Sequence, residues 1–202
     1  MNIRTPDDIL KFMDDIKYGW VDNNNGIHCD MDGFRLNYRT MSIEKTLKYH
    51  VGTCIEQSIL IKSLLDSLKI KNEAYCTRIY EGENFNDISA KERMHCFVLF
   101  YMNGKTFQLE HPDPERKGIH EFASKKDALD FLVKHYEDMT LNEYKQKGII
   151  IKRQNVRRTT TKYDYVPKGL TYKEFNLYIN SLNENDVKRW WYDRRTTKEK
   201  NF

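Results

Sequence analysis

The chain has 202 residues, of which 32% are charged and 39% apolar; 13 Tyr, 10 Phe and 3 Trp supply the bulk that one core requires. A mean hydropathy of -0.80, with no run near the roughly 20 apolar residues of a bilayer span, argues against a helical membrane protein, and no membrane partner is expected. The net charge of +4 is uneven: residues 147–202 hold 14 Lys and Arg against 6 Asp and Glu, a net of +8, which leaves residues 1–146 at -4.

That basic segment includes Lys152, Arg153, Arg157, Arg158, Arg189, Arg194 and Arg195. It admits nucleic acid or an acidic protein as a partner, but it carries no standard nucleic-acid-binding motif, and a solvated basic surface is the simpler reading. Residues 1–20 contain Asp7, Asp8, Asp14 and Asp15, so they do not read as a secretory signal. A cytoplasmic location is therefore expected. The four cysteines, Cys29, Cys54, Cys76 and Cys96, form no Cys-x-x-Cys pair or zinc-finger spacing and read as free thiols.

In chain order, Thr5-Pro6-Asp7-Asp8 predicts a helix start, with Thr5 as N-cap and Pro6 at the first helical position. Ile9, Leu10, Met13 and Ile16 give that helix an apolar face to about Tyr18. Residues 21–33, rich in Asn, Asp and Gly, read as a loop, and residues 41–50 as a short helix or turn. Next comes Gly52-Thr53-Cys54-Ile55-Glu56-Gln57. Thr53 and Glu56 have capping-box spacing, so a helix begins at Cys54. Leu60, Leu64, Leu65 and Leu68 form its buried stripe, ending near Lys69.

Residues 73–81 read as a strand and 82–92 as a polar loop. Residues 94–102 form an aromatic and β-branched strand, Asn103-Gly104 a type I′ turn, and residues 105–110 the returning strand. His111-Pro112-Asp113-Pro114 stops it, because two prolines cannot donate to a ladder. Ser124 caps a helix running to about Tyr136, residues 140–147 add a further helical turn or two, and residues 149–151 read as a short edge strand. Thr171-Tyr172-Lys173-Glu174 caps a last helix with Phe175, Tyr178 and Ile179 apolar. Trp190 and Trp191 fall in a polar-aromatic segment beyond it.

Chemistry concentrates at Cys54. At the first position of a helix its sulfur meets the positive end of the dipole, which favours thiolate over thiol. With a two-residue turn at 103–104, facing residues of the hairpin sum to 207, so Phe97 lies opposite Glu110 and His95 opposite Pro112. His95 and Glu110 are then diagonal neighbours on one face, about 7–8 Å apart at Cα. His111 points to the other face. A thiolate, an imidazole to hold it as an ion pair and protonate a leaving amine, and a carboxylate to fix the imidazole tautomer form a recognisable set. The Cys54 N–H is one oxyanion donor, and Trp20, through its indole N–H, is the leading side-chain candidate for a second, with Tyr38, Tyr49 and His50 behind it. His111, Asp113 and His120, separated by prolines, make no metal pattern, and no metal or cofactor is expected.

The run Gly52-Thr53-Cys54 before a helix with Leu64-Leu65, the strand at 73–81, His95 on an aromatic strand, and Phe107-Gln108-Leu109-Glu110 closing the next resembles the transglutaminase-like superfamily. The resemblance covers residues 48–115. It implies that Cys54 is the nucleophile, His95 the base and Glu110 the acid. The family usually has Asp at the last place and Trp where Phe107 stands, and it favours a small residue and then Trp where Cys96-Phe97 follow His95. It further implies an α+β, papain-like fold with N-terminal helices on an antiparallel sheet. On this reading residues 1–140 are the catalytic core and 141–202 a basic, helical C-terminal extension packed on it within a single domain. The implied activity is hydrolysis or acyl transfer at peptide or side-chain amides of a protein or peptide substrate, through a thioester. The contrasting expectation is an inert domain of the same fold that binds through its basic C-terminal surface.

Overall fold

The computed structural model describes residues 2–81, 92–149 and 156–182. It is a mixed α+β fold built on a five-stranded antiparallel sheet, ordered β8-β7-β6-β5-β9, comprising β5 (Asn72–Glu81), β6 (Glu92–Met102), β7 (Lys105–Glu110), β8 (Gly118–Phe122) and β9 (Val156–Tyr163). Short strands β1 (Lys17–Tyr18) and β4 (Val51–Gly52) pair in parallel, and β2 (Trp20–Val21) pairs with β3 (Ile27–His28).

Strand alternation divides the interior between the two faces of the sheet. Ala74, Cys76, Cys96, Val98, Phe100 and Leu109 pack with residues of α1 (Pro6–Met13), α4 (Cys54–Ser67) and α6 (Tyr172–Ser181). Tyr75, Ile79, Phe97 and Leu99 pack with Ala128, Leu129, Leu132 and Tyr136 of α5 (Lys125–Gln146). Two small helices, α2 (Phe34–Asn37) and α3 (Ile43–Tyr49), lie between β3 and β4 in the chain.

The helix starts follow their caps. Thr5, Thr53 and Thr171 each close a capping box, with Asp8, Glu56 and Glu174 respectively. The hairpin turn has φ of 54° at Asn103 and 76° at Gly104, the left-handed pair that a type I′ turn needs. Its register is Phe100↔Phe107 and Val98↔Leu109, the pairing expected from the turn.

Several expectations are revised. α1 stops at Met13, where Asp14 caps it, although Ile16 stays buried beyond it. Residues 125–146 form one continuous helix instead of two pieces, because its apolar face against the sheet runs on past Tyr136 to Thr140. The stretch expected to be a helical extension also contributes β9, which hydrogen-bonds to β5 as an edge of the central sheet. A boundary at 140/141 therefore falls inside α5. The polar loop expected at 82–92 lies outside the described residues except for Glu92, which opens β6, as do the strand expected at 149–151 for all but its first residue, and Trp190 and Trp191. Among the described residues no helix is long and apolar enough to cross a membrane.

Candidate active site

Cys54 opens α4 at the base of a cleft of about 840 Å³, lined also by Tyr18, Gln57, His95, His111 and Tyr172. Its position is set by Glu56. That carboxylate accepts from the Thr53 N–H (3.0 Å) and hydroxyl (2.6 Å), the Tyr38 hydroxyl (2.5 Å) and the Met41 N–H (3.1 Å). Burial nonetheless raises the Glu56 pKa. The first turn of α4 is thus tied to the 38–41 segment, and the Cys54 N–H, at the first helical position, has no acceptor within the helix.

His95 comes from β6. Its Nε2 lies 3.0 Å from Glu110 Oε2, and the imidazole lines the same cleft as Cys54. Tyr136 of α5 covers the ring at a centroid distance of 4.3 Å. Glu110 is fully buried and has three more donors: Gln108 Nε2 at 2.8 Å and the Tyr136 hydroxyl at 3.2 Å on Oε2, and the Asp113 N–H at 3.0 Å on Oε1. Arg116 donates to Gln108 Oε1 at 2.9 Å, which fixes which end of that amide faces the carboxylate.

The electrostatics follow from this cage. The Cys54 thiol is held well below its usual range, chiefly by the hydrogen bond with the Cys96 thiol, against the opposing effect of burial, and then by His95. Burial alone would discharge the His95 imidazolium. The charge of Glu110 and the Cys54 sulfur outweigh it and raise His95 to about 10.

No protein-family model matches the chain, and neither does any curated protein.

Of the residues singled out by sequence, His95 and Glu110 are hydrogen-bonded, Cys54 and His95 line one cleft, and Trp20 stands apart. The Trp20 indole N–H donates to the Asp30 carbonyl at 2.9 Å, and its ring stacks on His28 at 4.2 Å, away from the cleft lining. Tyr38 is likewise engaged by Glu56. Tyr18, on the strand position paired with Gly52, lines the same cleft as Cys54. His111 turns to α4, with Nδ1 2.7 Å from Gln57 Oε1; burial and Lys117 push its pKa down. Asp113 and His135 approach at 3.3 Å, and no group of three or more metal-ligating side chains occurs among the described residues.

Sequence reasoning missed Gln108, Tyr136 and Asp113 as holders of Glu110. Gln108 was legible, since it lies two residues from Glu110 on the same strand face. Tyr136 reaches the site only because α5 docks on that face. Of the basic residues set aside for a partner, Arg158 is buried against Glu137, with Nε at 2.6 Å. Lys152, Arg153, Arg189, Arg194 and Arg195 lie outside the described residues, as does the Arg157 side chain.

Proposed function

We propose that the chain is a cysteine-dependent amide hydrolase or acyltransferase with a papain-like, transglutaminase-like core. The observation that carries the reading is the His95 imidazole, held on one nitrogen by the buried Glu110 carboxylate and lining one cleft with Cys54 at the first position of α4. In this reading the Cys54 thiolate attacks the carbonyl carbon of a protein or peptide amide. The developing oxyanion is received by the Cys54 N–H, with the Tyr18 hydroxyl as second donor. His95 gives its proton to the amine as the C–N bond breaks, leaving a thioester on Cys54. Neutral His95 then takes a proton from water or an acceptor amine, which attacks the thioester and releases the thiolate. Glu110 holds the ring and offsets its charge throughout. Hydrolysis is the favoured outcome, since water is always present and transfer needs a dedicated amine site.

Iodoacetamide tests the assignment directly. At about pH 6, where ordinary thiols are protonated, it should alkylate Cys54 ahead of the exposed Cys29. His95→Ala should abolish or strongly slow the reaction. Uniform labelling of accessible thiols that begins only above about pH 8 would overturn the proposal.

A further inference from the structure

The charged residues of the cleft do not balance one another. Asp14, Glu92, Asp113 and Glu143 all line it, and each is already engaged. Asp14 pairs with Lys117, and Glu143 with Arg93 and Lys147. Glu92 Oε1 accepts from Arg78 Nε at 2.6 Å, and that pair is buried. Asp113 accepts from the Glu115 N–H at 3.1 Å and lies 3.3 Å from His135. Two cations of the lining, Lys17 and Arg35, have no carboxylate within ion-pair distance among the described residues.

Of the two, Arg35 is held in place. It projects from α2, and its Nη2 donates to the Glu92 carbonyl at 2.8 Å. β6 runs on past Val98↔Leu109, the last pair it makes with β7, so that carbonyl has no β7 partner to displace. The guanidinium carbon also lies 5.3 Å from the centre of the buried Tyr172 ring, and Phe34 meets that ring edge-on at 5.5 Å. A carbonyl and an aromatic face orient the guanidinium but leave its charge without a counter-ion, and arginine keeps that charge at every accessible pH.

We propose that Arg35 selects the substrate: its guanidinium receives a carboxylate carried by the substrate chain, from an acidic side chain or a free C-terminus, when the scissile amide lies at Cys54. The inference rests on the proposed reading of Cys54 as nucleophile, the two residues lining one cleft. The planar fork of a guanidinium matches the two oxygens of a carboxylate. Its orientation is fixed before the substrate arrives, so little ordering remains to oppose binding. The Phe34 and Tyr172 rings offer an apolar surface to the methylenes that carry the carboxylate. A basic substrate group meets the opposite situation, an uncompensated cation and no acid in the lining that is free to receive it.

The test uses the full chain as Cys54→Ser, to which peptides bind without turnover. In one arm a single Glu is walked along short fluorescent peptides of Gln, Gly and Ala with amidated C-termini. In the other, the parent peptide without Glu carries a free C-terminal carboxylate. Fluorescence anisotropy should show one Glu position, or the free carboxylate, lowering Kd about tenfold against the amidated parent, as a hydrogen bond to a charged group does. The arm that carries the gain identifies the source of the carboxylate, and added salt should shrink the gain. Arg35→Gln should erase it, Arg35→Glu should turn it into a preference for Lys at the same place, and Lys17→Gln should leave it unchanged. No gain in either arm overturns the inference, as does a gain that survives Arg35→Gln or one that Lys17→Gln removes. Binding to Cys54→Ser needs no reactive thiol, and iodoacetamide labelling of the wild type at about pH 6 needs no carboxylate, so the two readings fail by different observations.

Discussion

Replacing Glu110 with Gln removes one charge from the site while nearly conserving shape, and its effect is readable at His95. The Glu110 carboxylate accepts from His95, Gln108 and Tyr136 at Oε2 and from the Asp113 N–H at Oε1. An amide has a single acceptor oxygen. Set at the Oε2 position it keeps the three side-chain donors but turns its NH2 onto the Asp113 N–H, a buried donor facing a donor, at a cost of about 1–3 kcal/mol. The lost charge acts on His95 at 3.0 Å. An opposite charge this close shifts a pKa by about 1–3 units. The imidazolium should therefore fall from about 10 by that amount, equivalent to about 1.5–4 kcal/mol. The sign of the pH effect follows. His95 titrates higher when folded than its ordinary 6.5, so the stabilisation that Glu110 gives it is complete below about pH 6.5 and is lost as pH rises through about 10. The gap between wild-type and Glu110→Gln unfolding free energies in urea should thus be largest near neutrality and narrow toward alkaline pH. What remains there is the amide mismatch. The direct assay is a nitrogen-15 titration of the His95 ring in both proteins. A wild-type value near 6.5, or one that Glu110→Gln leaves unmoved, would refute the reasoning.

Glu56→Gln puts an amide where two backbone N–H groups, those of Met41 and Thr53, each point at a different carboxylate oxygen. Either orientation sets NH2 against one of them, so unfolding should become easier by about 1–3 kcal/mol, and Cys54 alkylation at pH 6 should slow because α4 loses its cap; a variant equal to wild type in both would show that the cap does not position the thiol. Gly104→Ala isolates backbone strain, since φ is 76° and an added Cβ would meet nothing within 4 Å. Chemical denaturation should show a loss of about 1–2 kcal/mol with Cys54 labelling unchanged, and a neutral result would mean the turn relaxes into another type.

The hairpin and the helix caps were legible because each is written in a few adjacent residues. Asn103-Gly104 dictates the turn, and the turn dictates which residues of β6 and β7 share a face. Thr53 and Glu56 dictate where α4 starts. What escaped was non-local. In β9, the run Val156-Arg157-Arg158-Thr159-Thr160-Thr161-Lys162-Tyr163 reads as polar, yet Thr159, Thr160 and Thr161 are buried and Arg158 is neutralised by Glu137. The Thr160 hydroxyl pairs with Thr77 of β5 and the Arg158 guanidinium with Glu137 of α5, partners from outside the segment that no local pattern records. The Trp20 indole N–H is likewise taken up by a partner that no pattern at Trp20 records. A buried indole N–H is a donor in search of an acceptor, and the Asp30 carbonyl supplies one ten residues later.

In the proposed reading Glu110 stands where the transglutaminase-like superfamily usually has Asp, and the geometry offers a physical reason. A glutamate carries one more rotatable bond than an aspartate, and so more rotamer freedom to lose in holding an imidazole. The β6–β7 ladder ends at Val98↔Leu109, so His95 and Glu110 lie just past the last bonded pair. A carboxylate there must reach diagonally, and the extra methylene supplies that reach. The freedom it adds is removed by the donors that surround it: Gln108 from its own strand, Tyr136 from α5 and the Asp113 N–H from the loop that follows. The orienting role proposed for Glu110 therefore rests on three neighbours as much as on the acid itself.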